Sequence, residues 1–465
     1  MKKRLLTLLL AVIVFVCAAA PVSAYDAQEN AGAGAVCAAG GVSLVLKKDG
    51  SLWGWGDNSE GQLGNGRKGD KILDKNSIFQ TVPVKIMDGV KSVATSGRSV
   101  YVVKSDNTLW GWGSNQNAQL GAEVIGGVRL GIRDTPVKIM DGVKTVTAGQ
   151  ECAFAIKTDN TLWGWGSNGG NQMGNCFKGN LLNPNSSGDP QYLQTTPLKL
   201  MDHVKMVCSG GYFPYNVTLA IRTDDSLWVW SGGDESVGGL DLEDADGDGN
   251  RFTAKVPIRI MDGVSSVSAG SHGQVLAVKT DGSLWGWGSN YWGELGNGGA
   301  YVRPSGYPVV IDMETGQPKY TVQLAPVKIM DGGVKAVYTG GGSTLYATMS
   351  SFSAVLKTDG SLWMCGDAQY GQLLNGAKGN ITLQPYLHNY DKVNVICQNT
   401  FTKVMDNVTS VSCGDFHTVI AKADGTVWTG GANYWGQLGD GLKTTTKSVD
   451  GVTAALNPVK VGITL

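Results

Sequence analysis

Short apolar runs broken by tight polar turns dominate the chain. A run such as Ala153-Phe-Ala-Ile156 leads into an Asp-Gly or Asp-Asn pair. Then come Leu-Trp-Gly-Trp-Gly, a loop, and a segment such as Pro136-Val-Lys-Ile-Met140. The runs are β-like in composition and too short for helices. Asp-Gly and Asp-Asn suit two-residue hairpin turns, which need positive φ. In Leu-Trp-Gly-Trp-Gly the tryptophans fall two apart, on one strand face. The glycines fall on the other face, where a neighbouring backbone can approach closely. Proline at the head of the last segment suits a first or edge strand. A small-residue segment such as Val146-Thr-Ala-Gly149 precedes each unit and suits a crowded centre. Each unit therefore predicts four short strands.

The unit recurs. Asp49-Gly-Ser-Leu-Trp-Gly-Trp-Gly56 has close copies ending at Gly113, Gly166 and Gly288. Weaker copies are Asp224-Asp-Ser-Leu-Trp-Val-Trp230, Asp359-Gly-Ser-Leu-Trp-Met-Cys-Gly366 and Asp424-Gly-Thr-Val-Trp-Thr-Gly-Gly431. One four-stranded sheet of this size does not bury its own faces. Seven arranged radially bury them against each other. The pattern predicts an all-β fold, a seven-bladed β-propeller of four-stranded blades. A linear solenoid is the alternative, but units of about 50 residues with four strands match propellers better.

At Trp53-Gly-Trp-Gly-Asp-Asn58, Gly61-Gln-Leu-Gly-Asn-Gly66 and Tyr434-Trp-Gly-Gln-Leu-Gly439 the chain resembles the regulator-of-chromosome-condensation repeat family. The resemblance covers residues 33–465 and implies the propeller fold. The family includes an exchange factor for a small nuclear GTPase, photoreceptors, and secreted bacterial proteins such as a propeller-type β-lactamase inhibitor. A fold alone does not assign a target. The fourth copy keeps its tryptophans but loses Gly-Gln-Leu-Gly, and insertions fall near 231–253, 299–325 and 377–400.

The first 24 residues stand apart. Lys2, Lys3 and Arg4 precede the uncharged apolar run Leu5 to Ala20, and Val22-Ser23-Ala24 fits a small-residue cleavage site. This is the pattern of a signal peptide, and a membrane anchor is the alternative. Cys17 follows Phe15-Val16, whereas lipid attachment wants a small residue just before its cysteine. Residues 25–32 form a short N-terminal segment. Export implies a secreted, extracellular protein, with the periplasm or a cell surface as alternatives, and the resemblance to secreted members of the family implies a bacterial one. Loss of Lys2, Lys3 and Arg4 takes the net charge from −1 to −4. No dense basic run exists, so the electrostatic footprint of a nucleic-acid binder is missing. No second run is long enough to span a bilayer. Seven cysteines remain after loss of Cys17, an odd number with no framework spacing. Cys37 and Cys413 lie in the first and last copies, which meet if the ring closes, and form a candidate disulfide.

Three sets of residues are candidates for function. Tyr291, Trp292, Tyr370, Tyr434 and Trp435 follow the Trp strands in loops. Such rings either anchor a ligand or cover the edge of the adjacent blade. Asp244, Asp246, Asp248 and Asn250 alternate as in the first half of a calcium loop, but Lys255 holds the place of the closing acid. They form a weak calcium site or a solvated acidic loop. The four histidines, His203, His272, His388 and His417, show no metal-ligand spacing. His417 sits where the family often has a strand histidine, which implies a structural role. The Asp-Gly-Ser-Leu-Trp phrase is similar to the Asp-box of sialidase propellers but lacks its spacing. No nucleophile elbow or phosphate loop is present. The expectation is a monomeric binding protein, not an enzyme, that presents loops to a protein or cell-surface ligand and needs no cofactor, calcium excepted. Inhibition of a secreted or cell-wall enzyme is one alternative. A glycan hydrolase or lyase in the central funnel is another, and it requires paired acids at one end of the ring.

Overall fold

The computed structural model describes residues 34–66, 79–121, 131–149, 151–176, 179–182, 192–211, 216–231, 254–299, 309–311, 318–320, 322–343, 349–383, 395–441, 446–447 and 453–465. These form seven antiparallel blades, each a meander of four strands. The first blade comprises Ala35–Ala39, Val42–Leu46, Leu52–Asp57 and Phe79–Met87. The seventh comprises Val408–Cys413, His417–Lys422, Thr426–Ala432 and Thr453–Thr464. Short outer strands Leu181–Leu182, Ile381–Leu383 and Thr446–Lys447 extend the third, sixth and seventh blades. A separate hairpin, Val309–Ile311 with Pro318–Tyr320, lies in the fifth-blade insertion. Among the described residues no helix is long and apolar enough to cross a membrane. The apolar run Leu5 to Ala20 lies outside them.

A local network builds each Trp strand. Asp49 Oδ1 accepts hydrogen bonds from the Ser51 N–H (2.8 Å) and hydroxyl (2.6 Å). Ser51 Oγ then accepts from Trp53 Nε1–H at 3.0 Å. The same relay recurs in every blade, for example at Asp106, Thr108 and Trp110. The hydroxyl and amide donors hold each aspartate below the usual carboxylate range. The residue after the aspartate is left-handed as expected, with φ of 80° at Gly50 and 63° at Asn107. Lys47 lies 4.8 Å over the Trp53 ring, and Lys85 pairs with Asp88 at 2.8 Å. These charges are exposed and contribute little to stability. They also guard the outer strands, whose free edges would otherwise pair with other chains.

Where a strand carries two tryptophans they share a face, as the spacing requires, but have different surroundings. Trp53 is half-buried at the rim, whereas Trp55 is fully buried against Val419, Ala421 and Val427 of the seventh blade. The glycines depart from expectation in one respect. A side chain at Gly56 would strike the Gly41 carbonyl, so backbone does approach there. Gly54 instead makes room for Leu44 and Ile86 side chains of its own sheet, each 2.8 Å from where its Cβ would lie.

The chain closes into a ring, which rules out the solenoid. Each blade uses consecutive strands, so no blade combines the two chain ends. Closure rests on lateral contacts between the first and seventh blades. Val36 N–H and Ala38 N–H donate to Ser410 Oγ (3.3 Å) and Ser412 Oγ (2.8 Å). Gly40 N–H donates to Asp415 Oδ1 at 3.0 Å. The small inner strand Ala35–Ala39 is buried throughout, which permits this approach.

Candidate functional site

The meander gives the ring two unlike ends. Connections from second to third strand are tight Asp-Gly turns, and they share one end with the short links between blades. Connections from third to fourth strand all leave and return at the other end, together with the first hairpins. The described ends of every insertion therefore lie at one face, which we call the loop face. Loops on a rigid scaffold are where propellers and similar folds place binding.

A clip built from the Gly-Gln-Leu-Gly phrase and its variants organises the root of the connection in the blades that carry it. Asn58 Oδ1 accepts from Leu63 N–H at 2.9 Å, and Gln62 Oε1 accepts from Glu60 N–H at 2.8 Å. The Gln62 carbonyl is thereby aimed at the next blade, where it accepts from Trp112 Nε1–H at 2.7 Å. The Trp112 indole lies on Gly64, where a Cβ would come within 2.8 Å of Nε1. Trp165, Trp230 and Trp55 repeat this bond on Gln119, Gln172 and Gln437. In the sequence Gly-Gln-Leu-Gly is a phrase of the family it resembles, and its periodic pairing with the second tryptophan is the signal of this clip.

Three junctions depart from the pattern. The fourth copy lacks the phrase, and Trp287 Nε1 has no hydrogen-bond partner among the described residues. In the sixth blade Cys365 replaces the second tryptophan, and its thiol lies 3.3 Å from the Glu294 carbonyl. Phe401, which stands where other copies have proline, brings its ring over Gly296 and fills the vacated volume. In the seventh blade Gly430 stands in the tryptophan place, and the facing clip carries Leu374 where the others have glycine. A Cβ on Gly430 would collide with the Leu374 side chain.

The candidate aromatics divide accordingly. Tyr370 is buried, 5.4 Å edge-on from Phe416 of the seventh blade. Tyr434 packs on that same cluster and lies 4.9 Å from Trp435. Trp435 covers Gly41 of the first blade, where a Cβ would lie 2.5 Å from its ring. Tyr291 and Trp292 are half-exposed on the fifth blade's clip. Covering the adjacent blade thus accounts for Tyr370 and part of Trp435. Tyr291, Trp292, Tyr434 and Trp435 keep exposed surface on the loop face.

Asp244, Asp246, Asp248 and Asn250 lie outside the described residues, as does His388. Among the described residues no group of three His, Cys, Asp or Glu could hold a metal ion. No disulfide joins Cys37 to Cys413. Cys37 packs between the first and second blades and Cys413 between the sixth and seventh. The described inner strands carry no Asp or Glu, whereas Glu151 and Asp415 lie in the hairpins that follow two of them, at the loop-face end of the ring.

His417 is part of the ring closure. Ser43 donates its one hydroxyl proton to the Gln437 carbonyl at 2.8 Å, so at 2.9 Å it accepts from His417 Nε2–H. That leaves Nδ1 as a bare buried acceptor. Burial lowers the ring's pKa to about 3. The folded protein therefore resists a proton that the unfolded chain takes up near pH 6.5. The resulting stability is complete above pH 6.5 and is lost as pH falls from 6.5 toward 3, by as much as about 5 kcal/mol. Urea midpoints measured across that window should fall steeply for the parent. They should fall less for His417→Gln, whose amide keeps the donor and cannot titrate. Equal slopes would exclude this origin of acid lability.

The fold and the site define a β-propeller that keeps variable connections on one face of a clipped ring. The regulator of chromosome condensation (RCC1) repeat model matches residues 49–103 and 359–421, and a second model of the same repeat matches 408–437. The matched repeats and the seven-bladed fold support the RCC1-repeat propeller family. It is similar to the human E3 ubiquitin-protein ligase HERC2, 25% identical over 411 residues, which covers 86% of this chain but 7% of that protein. It is 28% identical over 252 residues to the ultraviolet-B receptor UVR8 of Arabidopsis thaliana, covering 53% of this chain and 50% of the receptor. The chain thus spans half or less of these relatives. Yeast RCC1 (Prp20), solved bound to Kap60, superposes with a TM-score of 0.59 at 17% identity, covering 94% of this chain and 89% of that one. Human WBSCR16 gives 0.56 at 17% identity, covering 89% and 94%. Propellers of this repeat mediate protein interaction. Prp20p was also solved with its binding to Gsp1p and histones in view.

Proposed function

We propose that this protein is an exported binding protein whose loop face captures a protein or cell-surface ligand. One observation carries the reading. The meander sends every third-to-fourth connection to one end, and rigid clips hold Tyr291, Trp292, Tyr434 and Trp435 half-exposed at that end. Aromatic anchors on a preorganised scaffold bind at low entropic cost. Residues 1–24 carry the export pattern. N-terminal sequencing of the secreted chain should then read from Tyr25.

Tyr291→Ala/Trp292→Ala should weaken capture of the ligand from native surface material by tenfold or more, as expected of about 2 kcal/mol at a hot spot. Thermal stability should change little. Trp53→Ala, at the rim near the turn end, should leave capture intact. Loss of capture in Trp53→Ala, with none in the loop-face variant, would place the binding surface elsewhere.

A further inference from the structure

The two ends of the ring differ in charge as well as in loops. At the turn end the connections are short: the Asp-Gly or Asp-Asn turns, and links between blades such as Asp88-Gly89 and Asp141-Gly142. The described ends of the insertions lie at the opposite face. The turn end is therefore a nearly flat disc formed by seven packed blades.

Most charges on that disc cancel in place. Six outer-strand cations each pair with an aspartate three residues on, as Lys85 does with Asp88 at 2.8 Å. Each turn aspartate follows a cation two residues before it, as Asp49 follows Lys47. Lys205 pairs with Asp225. Lys48, Lys91, Lys144, Lys335 and Lys460 are left over, in no ion pair among the described residues. Lys91, Lys144 and Lys335 share a cause. Each is the extra residue of a β-bulge at the head of an inner strand, between Val90 and Ser92, Val143 and Thr145, and Val334 and Ala336. A bulge leaves its extra residue unpaired and re-aims its side chain. Neutral amides hold two of these lysines without cancelling them: Lys91 Nζ donates to Asn107 Oδ1 at 2.8 Å, and Lys144 Nζ to Asn160 Oδ1 at 3.5 Å. At Lys460 the paired aspartate is missing because Ile463 stands in its place. The five belong to consecutive blades around the ring, from the sixth through the closure to the third. Residues 25–465 carry −4 in all, so a disc at +5 leaves −9 for the rest of the chain. Half-exposed Met87, Met140, Met201, Met261, Met330 and Met405 end the outer strands at the same face.

We propose that the turn end is a membrane-docking face, which lays the disc on a bilayer rich in anionic lipid and turns the loop face away from it. A flat rigid face meets a planar surface over its whole area, whereas a single polyanionic chain is held by a groove. Lysines within a Debye length of anionic headgroups are attracted to them. The methionine side chains adapt to an irregular apolar boundary. The negative charge carried elsewhere on the chain opposes approach by other sides, so the field also sets orientation. Docking does not depend on what the loop face captures.

Cosedimentation of residues 25–465 with vesicles tests this. The chain should bind equimolar phosphatidylglycerol and phosphatidylcholine at about 0.1 M salt, ignore pure phosphatidylcholine, and be released at about 0.5 M salt. Lys48→Gln/Lys91→Gln/Lys335→Gln, all exposed positions, should weaken binding on the order of a hundredfold. Arg98→Gln/Arg133→Gln/Lys378→Gln removes the same charge from exposed positions at the loop end and should bind as the parent does. Equal binding by the two triple variants, or no binding of the parent to the anionic vesicles, would overturn the proposal. So would a parent that ignores vesicles but holds soluble polyphosphate, which would make the face a site for a free polyanion. Tyr291→Ala/Trp292→Ala should bind vesicles normally, so failure of capture and failure of docking are read separately.

Discussion

Gly430→Trp alone is expected to prevent the seventh blade from seating on the sixth, and Leu374→Gly in the same chain is expected to restore it. At four junctions a clip glycine receives an indole, as Gly64 receives Trp112. At the junction between blades six and seven the sizes are reversed, with Leu374 on the clip and Gly430 on the strand. An indole at 430 must share space with a side chain that is only 5% exposed. Cores do not absorb that volume without displacing backbone. Leu374→Gly alone leaves a cavity, costing about 2–5 kcal/mol. Relief of the left-handed leucine, at φ 58°, returns about 1–2 kcal/mol of that. The double variant rebuilds the arrangement of the other junctions, including a partner for the new indole N–H at the Gln372 carbonyl. That carbonyl now accepts from the Thr418 hydroxyl at 2.8 Å. Urea unfolding of the four proteins gives the coupling directly, and it should exceed about 2 kcal/mol. A coupling near zero would show that the two residues do not substitute for each other.

Trp55→Ala should open the ring, whereas Trp53→Ala should barely be felt. Trp55 is fully buried, and its indole donates to the Gln437 carbonyl across the closure at 2.9 Å. Truncating a buried tryptophan costs about 3–5 kcal/mol. No shared strand exists to hold the first and seventh blades together once that packing is lost. Hydrogen exchange should therefore show residues 35–57 and 417–437 losing protection together, with the third and fourth blades unaffected. Trp53 is half-exposed, and its indole bonds only to Ser51 two residues away. Its loss should cost on the order of 1 kcal/mol. If both variants destabilise alike, closure does not depend on the Trp55 contact.

The features legible in the sequence are those that close within a few residues. Asp49, Ser51 and Trp53 form their relay in five positions, so every copy displays it, including the weak ones at 224, 359 and 424. Positive φ after each aspartate and the small inner strands were legible for the same reason. The aromatic loops were only half legible. Asn-Tyr-Trp-Gly marks a loop with rings in it, but whether a ring faces solvent depends on the neighbouring blade. Phe416 buries Tyr370, and Gly41 takes one side of Trp435.

The sequence by itself determined the blade, the number of blades, and the chemistry of each turn, because those follow from local backbone preference and strict alternation along short strands. Only the tertiary structure decided how one blade meets the next. Cys365 with Phe401, and Leu374 with Gly430, read as decay of the repeat along the chain. In space each is a volume exchange across a junction. Close packing is conserved between surfaces that are distant in sequence, so a loss at one position and its compensation at another carry no local mark. The surroundings of Glu294 are decided there too. A glutamate in place of glutamine is ordinary on a surface, and only the packed blades bury this one completely.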